Sequence, residues 1–277
     1  MDTHYTNKLF DLNGQMAVVT GGAGVICASL CRTIATAGSK VAILDINRQA
    51  AEELAASINQ SGGEAIPVGC DVCDKENIAV AAQQIISTFG TVDILINGAG
   101  GNNSQATTST DLSFFDLPET ALKWVIDLNL ISAILSAQVF GKFMALQKKG
   151  IILNISSMNA LRPLTRIPAY SAAKAAVSNF TQWLAVHMAQ EYSPEIRVNA
   201  IAPGFFLTDQ NRYLLFDEAT GKLTARGQMI LDHTPMERFG TPEDLAGTVL
   251  WLLSPASTFV SGIVVPVDGG FSAFSGV

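Results

Sequence analysis

Seven short β-branched runs recur along the chain with helix-like stretches between them, and this alternation restricts the fold more than any other feature. The runs are MAVVT (16–20), VAILD (41–45), AIPVG (65–69), VDILIN (92–97), IILNIS (151–156), IRVNAI (196–201) and IVVPVD (263–268). They are largely apolar, as expected of strands buried on both faces. Between them, AAEELAASINQ, KENIAVAAQQIISTFG and TPEDLAGTVLWLLS read as helices. A β-α-β-α order implies parallel strands with crossover helices, here a doubly wound, seven-stranded parallel α/β sheet with helices on both faces. With 277 residues, 48% hydrophobic and 15% charged, the chain can bury one large core, so a single domain spanning 1–277 is expected. Two connections, 99–117 and about 204–240, exceed ordinary loop lengths, and the second is expected to be a substrate loop or lid.

Charge narrows the partners. The formal net charge is −7 and no run of Lys or Arg occurs, which argues against nucleic acid. No uninterrupted apolar stretch reaches membrane-spanning length, and MDTHYTNKLFDLNG lacks the basic-then-apolar order of a secretion signal. A soluble, cytoplasmic protein without membrane contact is expected. Cysteines at 27, 31, 70 and 73 form a CxxxC and a CxxC, but none of the three histidines is near them in sequence. They are expected to be free thiols, with no metal.

The first strand runs into TGGAGVIC and then a helix, and the second ends in Asp45, twenty-four residues after Gly21. This is the layout of a Rossmann-like dinucleotide site. Gly21, Gly22 and Gly24 let backbone approach a pyrophosphate, Val25 and Ile26 begin the helix that receives it, and Asp45 accepts the ribose hydroxyls. The carboxylate of Asp45 would repel a 2′-phosphate, and the glycine turn holds no basic residue to compensate. NAD is therefore favoured over NADP, with Arg48 as the nearest cation that opposes this reading.

In AYSAAKAAV (169–177), Tyr170 and Lys174 lie four residues apart and so share one helix face. An ammonium beside a phenol favours the phenolate.

The ordered set TGGAG, NGAGG, Asn129 in DLNL, NISS, YSAAK, NAIAPG and VDGG resembles the short-chain dehydrogenase/reductase family over essentially the whole chain. The resemblance implies an enzyme that moves hydride between a CH–OH group and NAD. It assigns Tyr170 as acid/base, Lys174 as its electrostatic partner and ribose ligand, and Ser157 as hydrogen-bond partner of the substrate oxygen. Ser156 is the alternative to Ser157 by one position. Asn129 helps hold the proton relay. Asp71 and Val72 would bracket the adenine, and Asn97, Gly98, Ala99 and Gly100 would lie beneath the adenosine ribose. Pro203 and Gly204 would flank the nicotinamide, with Thr208 on its carboxamide, while Asn199 supports the loop. The family's TGxxxGxG would place glycine where this chain has Val25 and Cys27, a departure that changes the diphosphate turn in detail.

Between serine and tyrosine lie Asn159, Arg162 and Arg166, and the long loop adds Gln210, Asn211, Arg212 and His233. Amides and guanidinium groups suit hydroxyls and a carboxylate, so a sugar acid or polyol is the expected substrate. The stretches NISSMNALRPLTRIPAYSAAKAAVSNFTQWLAVH and FFLTDQNRYLL, and the ending VDGGFSAFSGV, resemble the short-chain-type D-mannonate oxidoreductases, also called fructuronate reductases. Other gluconate, sugar or polyol dehydrogenases are the alternative, and a non-catalytic dinucleotide sensor is the reading from a different class. Helices beginning near 119 and 168 carry few charges and have more than one apolar face, from which a homo-oligomer is expected, and the family resemblance implies a homotetramer.

Overall fold

The computed structural model describes residues 3–208, 212–217 and 220–276. After a short helix α1 (Thr3–Leu9) come β1 (Met16–Thr20), α2 (Val25–Thr36), β2 (Lys40–Asp45), α3 (Arg48–Gln60), β3 (Glu64–Gly69), α4 (Lys75–Phe89) and β4 (Ile94–Asn97). The second half has α5 (Glu119–Ile126), a π-helical segment (Asp127–Ile131), α6 (Ser132–Gln147), β5 (Gly150–Ile155), α7 (Pro168–Glu191) and β6 (Ile196–Pro203). It closes with α8 (Arg212–Leu215), α9 (Ala225–Asp232), α10 (Ala246–Leu253) and β7 (Val264–Val267). Among the described residues the sheet has seven strands, all parallel, in the order β3-β2-β1-β4-β5-β6-β7.

Strand alternation sorts the core into two layers. Ala17, Val19, Val41, Ile43, Ile94 and Ile96 face α2, α3 and α10. Met16, Val18, Ala42, Leu44 and Leu95 face α4, α6 and α7 on the other side. Burying each of these larger side chains contributes about 1.5–3 kcal/mol, which is why single polar substitutions here would be severe. The chain order reverses between β1 and β4, and the carboxyl ends of these two strands open a crevice where such sheets place their ligands.

Glu119–Gln147 is the one helical stretch among the described residues with the length and composition to cross a membrane. It is packed within the protein: Phe140 and Met144 are fully buried, and the stretch carries the buried polar groups Asn129, Ser132 and Ser136. The long loop 204–240 is partly helical, holding α8 and α9. Asn211 and Gln210, expected near substrate, lie outside the described residues.

Candidate active site

The crevice floor is made of bare backbone. Gly21 has φ +61, and a β-carbon there would lie 2.7 Å from Ala99 Cα; one on Gly22 would lie 2.9 Å from Ile43 Cγ2. Thr20 ends β1, and its hydroxyl accepts from the amides of Gly98 (3.1 Å) and Ala99 (3.3 Å). The ends of β1 and β4 are thus held together at the switch point. Gly24 caps α2 with no side-chain hydrogen bond, leaving the first-turn amides that suit an anion. Val25 opens the helix, partly exposed, and Ile26 packs against the core. One carboxylate oxygen of Asp45 accepts from Ala23 N (3.0 Å) and the other from Asn47 N (2.9 Å), so the carboxylate is fixed at the end of β2. Beyond β3, Asp71 is exposed and Val72 buried. Asn97 turns inward, donating to Asn154 Oδ1 at 2.8 Å, and so ties β4 to β5 instead of facing the crevice.

Farther along the crevice, the first turns of α7 present Tyr170 and Lys174. Lys174 is buried; its Nζ donates to Ile155 O (2.8 Å) and lies 5.6 Å from the centre of the Tyr170 ring. Ser157, just past β5, faces the Tyr170 hydroxyl and lowers the pKa of the phenol. Ser156 turns the other way, its hydroxyl donating to Lys174 O (3.1 Å) and lying 2.7 Å from Ser178 Oγ. Strand alternation therefore gives the two serines separate tasks, one on the helix and one on the crevice.

Asn129 sits in the π-helical segment, where one extra residue per turn rotates a side chain out of helical register. Its amide donates to Gly101 O (2.6 Å) and Val125 O (2.8 Å) and accepts from Gly101 N (3.1 Å). A β-carbon on Gly100 would lie 2.7 Å from Asn129 Oδ1 and 3.2 Å from Lys174 Nζ. Asn129, Gly100, Lys174, Tyr170 and Ser157 thus form one connected group.

Burial lowers the pKa of the Lys174 ammonium from 10.5 to about 8. Burial pushes the Tyr170 phenol upward, opposed by Ser157. Desolvation is the larger of these two effects, so the phenol is held in its neutral form. Cys27, in the first turn of α2, has its thiol pushed up to about 12 by burial and stays neutral. Cys31 and Cys70 are buried and Cys73 exposed, and all four are free thiols. Among the described residues no group of His, Cys, Asp and Glu is arranged to hold a metal.

The rim is less uniform. Arg162 is exposed, and its Nε donates to Ser272 O (3.0 Å), clamping the C-terminal turn. Arg166 is exposed, with φ 74 and its carbonyl accepting from Thr108 N (2.8 Å). Arg212 stacks on Phe216 at 5.2 Å. Asn159 is buried, its backbone N–H reaches Ser157 Oγ (3.2 Å), and its Oδ1 has no hydrogen-bond partner. Gly204 follows β6, with its amide on Val267 O (2.9 Å), and a β-carbon there would meet Asp268 at 2.7 Å. Pro203 is buried, and Thr208 is partly buried just beyond. Asn199 supports the neighbouring loop through Val260 O and Ile263 N. A separate cavity of about 390 Å³ is lined by Phe205, Phe206, Met236, Arg238 and Asp244 among others, and neither Ser157 nor Tyr170 lines it.

Sequence reasoning missed Thr20, whose signal was a hydroxyl residue at the end of the strand ahead of the glycines, and the Arg162–Ser272 link, which had no local signal at all.

Fold and site together define a dinucleotide-type α/β protein with a serine, tyrosine and lysine grouped at its strand ends. Residues 21–272 match the family model described as enoyl-(acyl carrier protein) reductase. An uncharacterized oxidoreductase of Haemophilus influenzae is 49% identical over 278 residues, covering 96% of each chain. A solved structure from the same organism, of a candidate D-mannonate oxidoreductase with bound NAD, superposes with a TM-score of 0.92 at 48% identity, covering 98% of this chain and 100% of that one. A 7α-hydroxysteroid dehydrogenase of Escherichia coli is 35% identical over 94% of each chain. The chain belongs to the short-chain dehydrogenase/reductase family.

Proposed function

We propose that the protein is an NAD-dependent oxidoreductase interconverting a sugar-acid alcohol and its ketone, with D-mannonate and D-fructuronate as the pair. The observation that carries this reading is the grouping of Ser157 and Tyr170 beside the buried ammonium of Lys174, 5.6 Å from the Tyr170 ring, at the end of a glycine-floored crevice. The residues fit a dinucleotide: fixed Asp45 for the adenosine ribose, the bare turn and α2 amides for the diphosphate, Lys174 and Tyr170 for the second ribose. When bound, NAD supplies the hydride-accepting carbon and a positively charged ring that favours the phenolate.

In alcohol oxidation Tyr170 takes the hydroxyl proton as hydride leaves the same carbon, and in reduction it returns that proton. Ser157 donates to the substrate oxygen. Asn129 holds the Gly100–Gly101 turn against Lys174, which in turn fixes the ammonium. Asp45 sets the preference for NAD by excluding a 2′-phosphate.

The anionic substrate rests on the NAD-bound Haemophilus structure and on Arg166 and Arg212 near the rim of a chain with net charge −7. The unpartnered Oδ1 of buried Asn159, close to Ser157, suits a substrate hydroxyl. Arg162 offers its terminal nitrogens while its Nε holds the C-terminal turn.

Incubation with NAD and a panel of sugar acids, polyols and steroid alcohols, followed by NADH absorbance, tests the reading. Oxidation of a sugar acid is expected. Turnover only of neutral polyols or of steroids would reassign the substrate, and NADH binding without turnover of any substrate would make the protein a sensor. Arg166→Ala or Arg212→Ala is expected to raise the sugar-acid KM about ten- to hundredfold, and the KM of the matching polyol less, because a guanidinium–carboxylate bond contributes about 1.5–3 kcal/mol. Equal effects on both substrates would assign the arginines to folding.

The proposed cytoplasmic homotetramer is supported by half-exposed Trp124 on α5 and Trp183 on α7, the latter stacked between Phe180 and His187. Such an apolar face suits a second copy of the same helices.

A further inference from the structure

We propose that Cys27 and Gly98 form a size-matched pair that sets the floor of the dinucleotide crevice, so that cofactor affinity depends on the two residues jointly. This rests on the NAD reading above. Cys27 is, with Val25, one of the two residues by which the glycine turn departs from its family's pattern, and its thiol lies directly over Gly98: a β-carbon on Gly98 would collide with Cys27 Sγ. Cys27 is 4% exposed in the first turn of α2, with its thiol packed under the Gly98 backbone at the end of β4.

The surrounding backbone leaves little slack. The hydroxyl of Thr20 holds the amides of Gly98 and Ala99, and the Gly21 α-carbon packs on Ala99. Two residues farther on, Gly100 lies against Asn129 and Lys174. A side chain added at 98 would lift this turn away from the N-terminus of α2 and carry Gly100 with it. Removing the thiol instead would leave the turn unsupported on that side. Gly98 would lie beneath the adenosine ribose with Cys27 under it, and neither side chain would hydrogen-bond the cofactor, so each change acts by moving backbone.

A mutant cycle tests the pair. Cys27→Ala, Gly98→Ala and the double variant would be compared with the unaltered protein by NADH fluorescence titration, together with Tm measured without nucleotide. Gly98→Ala is expected to weaken NADH binding about tenfold or more, since the turn must shift to admit the methyl group. In the Cys27→Ala background the same change is expected to have a much smaller effect. There the nearest atom of residue 27 is its β-carbon, at an ordinary 3.7 Å. Rescue stays incomplete because Thr20 O lies 2.8 Å from the new methyl position.

Additive effects on affinity would overturn the pairing, as would a Tm that moves while NADH affinity in the folded protein does not. If Gly98→Ala fails to fold alone, recovery of NADH-binding protein by adding Cys27→Ala supports the pair, and failure of the double variant overturns it. Absence of NADH binding by the unaltered protein would overturn the NAD reading and the pairing with it, an outcome distinct from additivity.

Discussion

Tyr170→Phe is expected to keep NADH affinity within about threefold while lowering kcat by a factor of about 10² to 10⁴, the range supplied by a positioned acid or base. The ring of Tyr170 packs against the small cluster of Ala106, Ala121, Val125 and Ala169, and phenylalanine preserves that packing. What disappears is the hydroxyl that meets Ser157 and would carry the proton. Tm is expected to change little, because only the hydroxyl is lost and the ring remains. Stopped-flow or steady-state turnover beside NADH titration separates the two effects. Parallel loss of affinity, turnover and Tm would make Tyr170 a packing residue and remove the chemistry proposed for the site.

The pair Tyr170 and Lys174 was legible because four-residue spacing on a helix is a local property, and α7 begins at Pro168 with the ring and ammonium on one face. The same holds for the strands, whose β-branched runs match the sheet nearly residue for residue. The edges differ by a residue or two: β4 runs from Ile94, although Asp93 already donates its amide to Met16 O (2.9 Å), accepts from Ile151 N (2.9 Å) and adds its carboxylate on Met16 N. Alternation also distinguished Ser157 from Ser156. The π-helical turn at Asn129 was not legible, because DLNLI has no local pattern that differs from an α-helix; bonds to Gly101, far away in sequence, define it.

Long-range polar contacts account for the other surprises. Arg197 reads as a polar interruption in a strand, yet it is buried with its guanidinium on Leu252 O, Ser254 O and Ser257 Oγ, where it compensates carbonyls at the end of α10. Arg162 likewise reads as a free cation and is partly committed to Ser272, 110 residues away. Charge type can be read from sequence, but which carbonyl will claim a guanidinium depends on tertiary structure.

Lys174→Met is expected to abolish most turnover and to raise Tm at neutral pH. The ammonium is buried, and its pKa falls from 10.5 to about 8, which corresponds to about 3 kcal/mol disfavouring its charged form in the folded protein. Between pH 8 and 10.5 the unfolded chain holds this proton more tightly than the folded one, so stability rises with pH across that window. Below pH 8 the full penalty is present. Methionine fills similar volume without charge and removes the penalty, while Ile155 O loses its donor at a cost of about 1 kcal/mol. The net gain near pH 7 is about 1–2 kcal/mol, or a few degrees in Tm for a chain of this size. The advantage of the variant should shrink as pH approaches 10.5, where the native lysine is neutral in the folded state. Thermal melts of both proteins at pH 7 and pH 10, without nucleotide, check the sign and the pH dependence together. A variant less stable at pH 7 would mean that the ammonium is a net stabiliser of this fold. Higher stability with turnover intact would instead show that the site works without the charge, leaving Tyr170 to be activated by the cofactor alone.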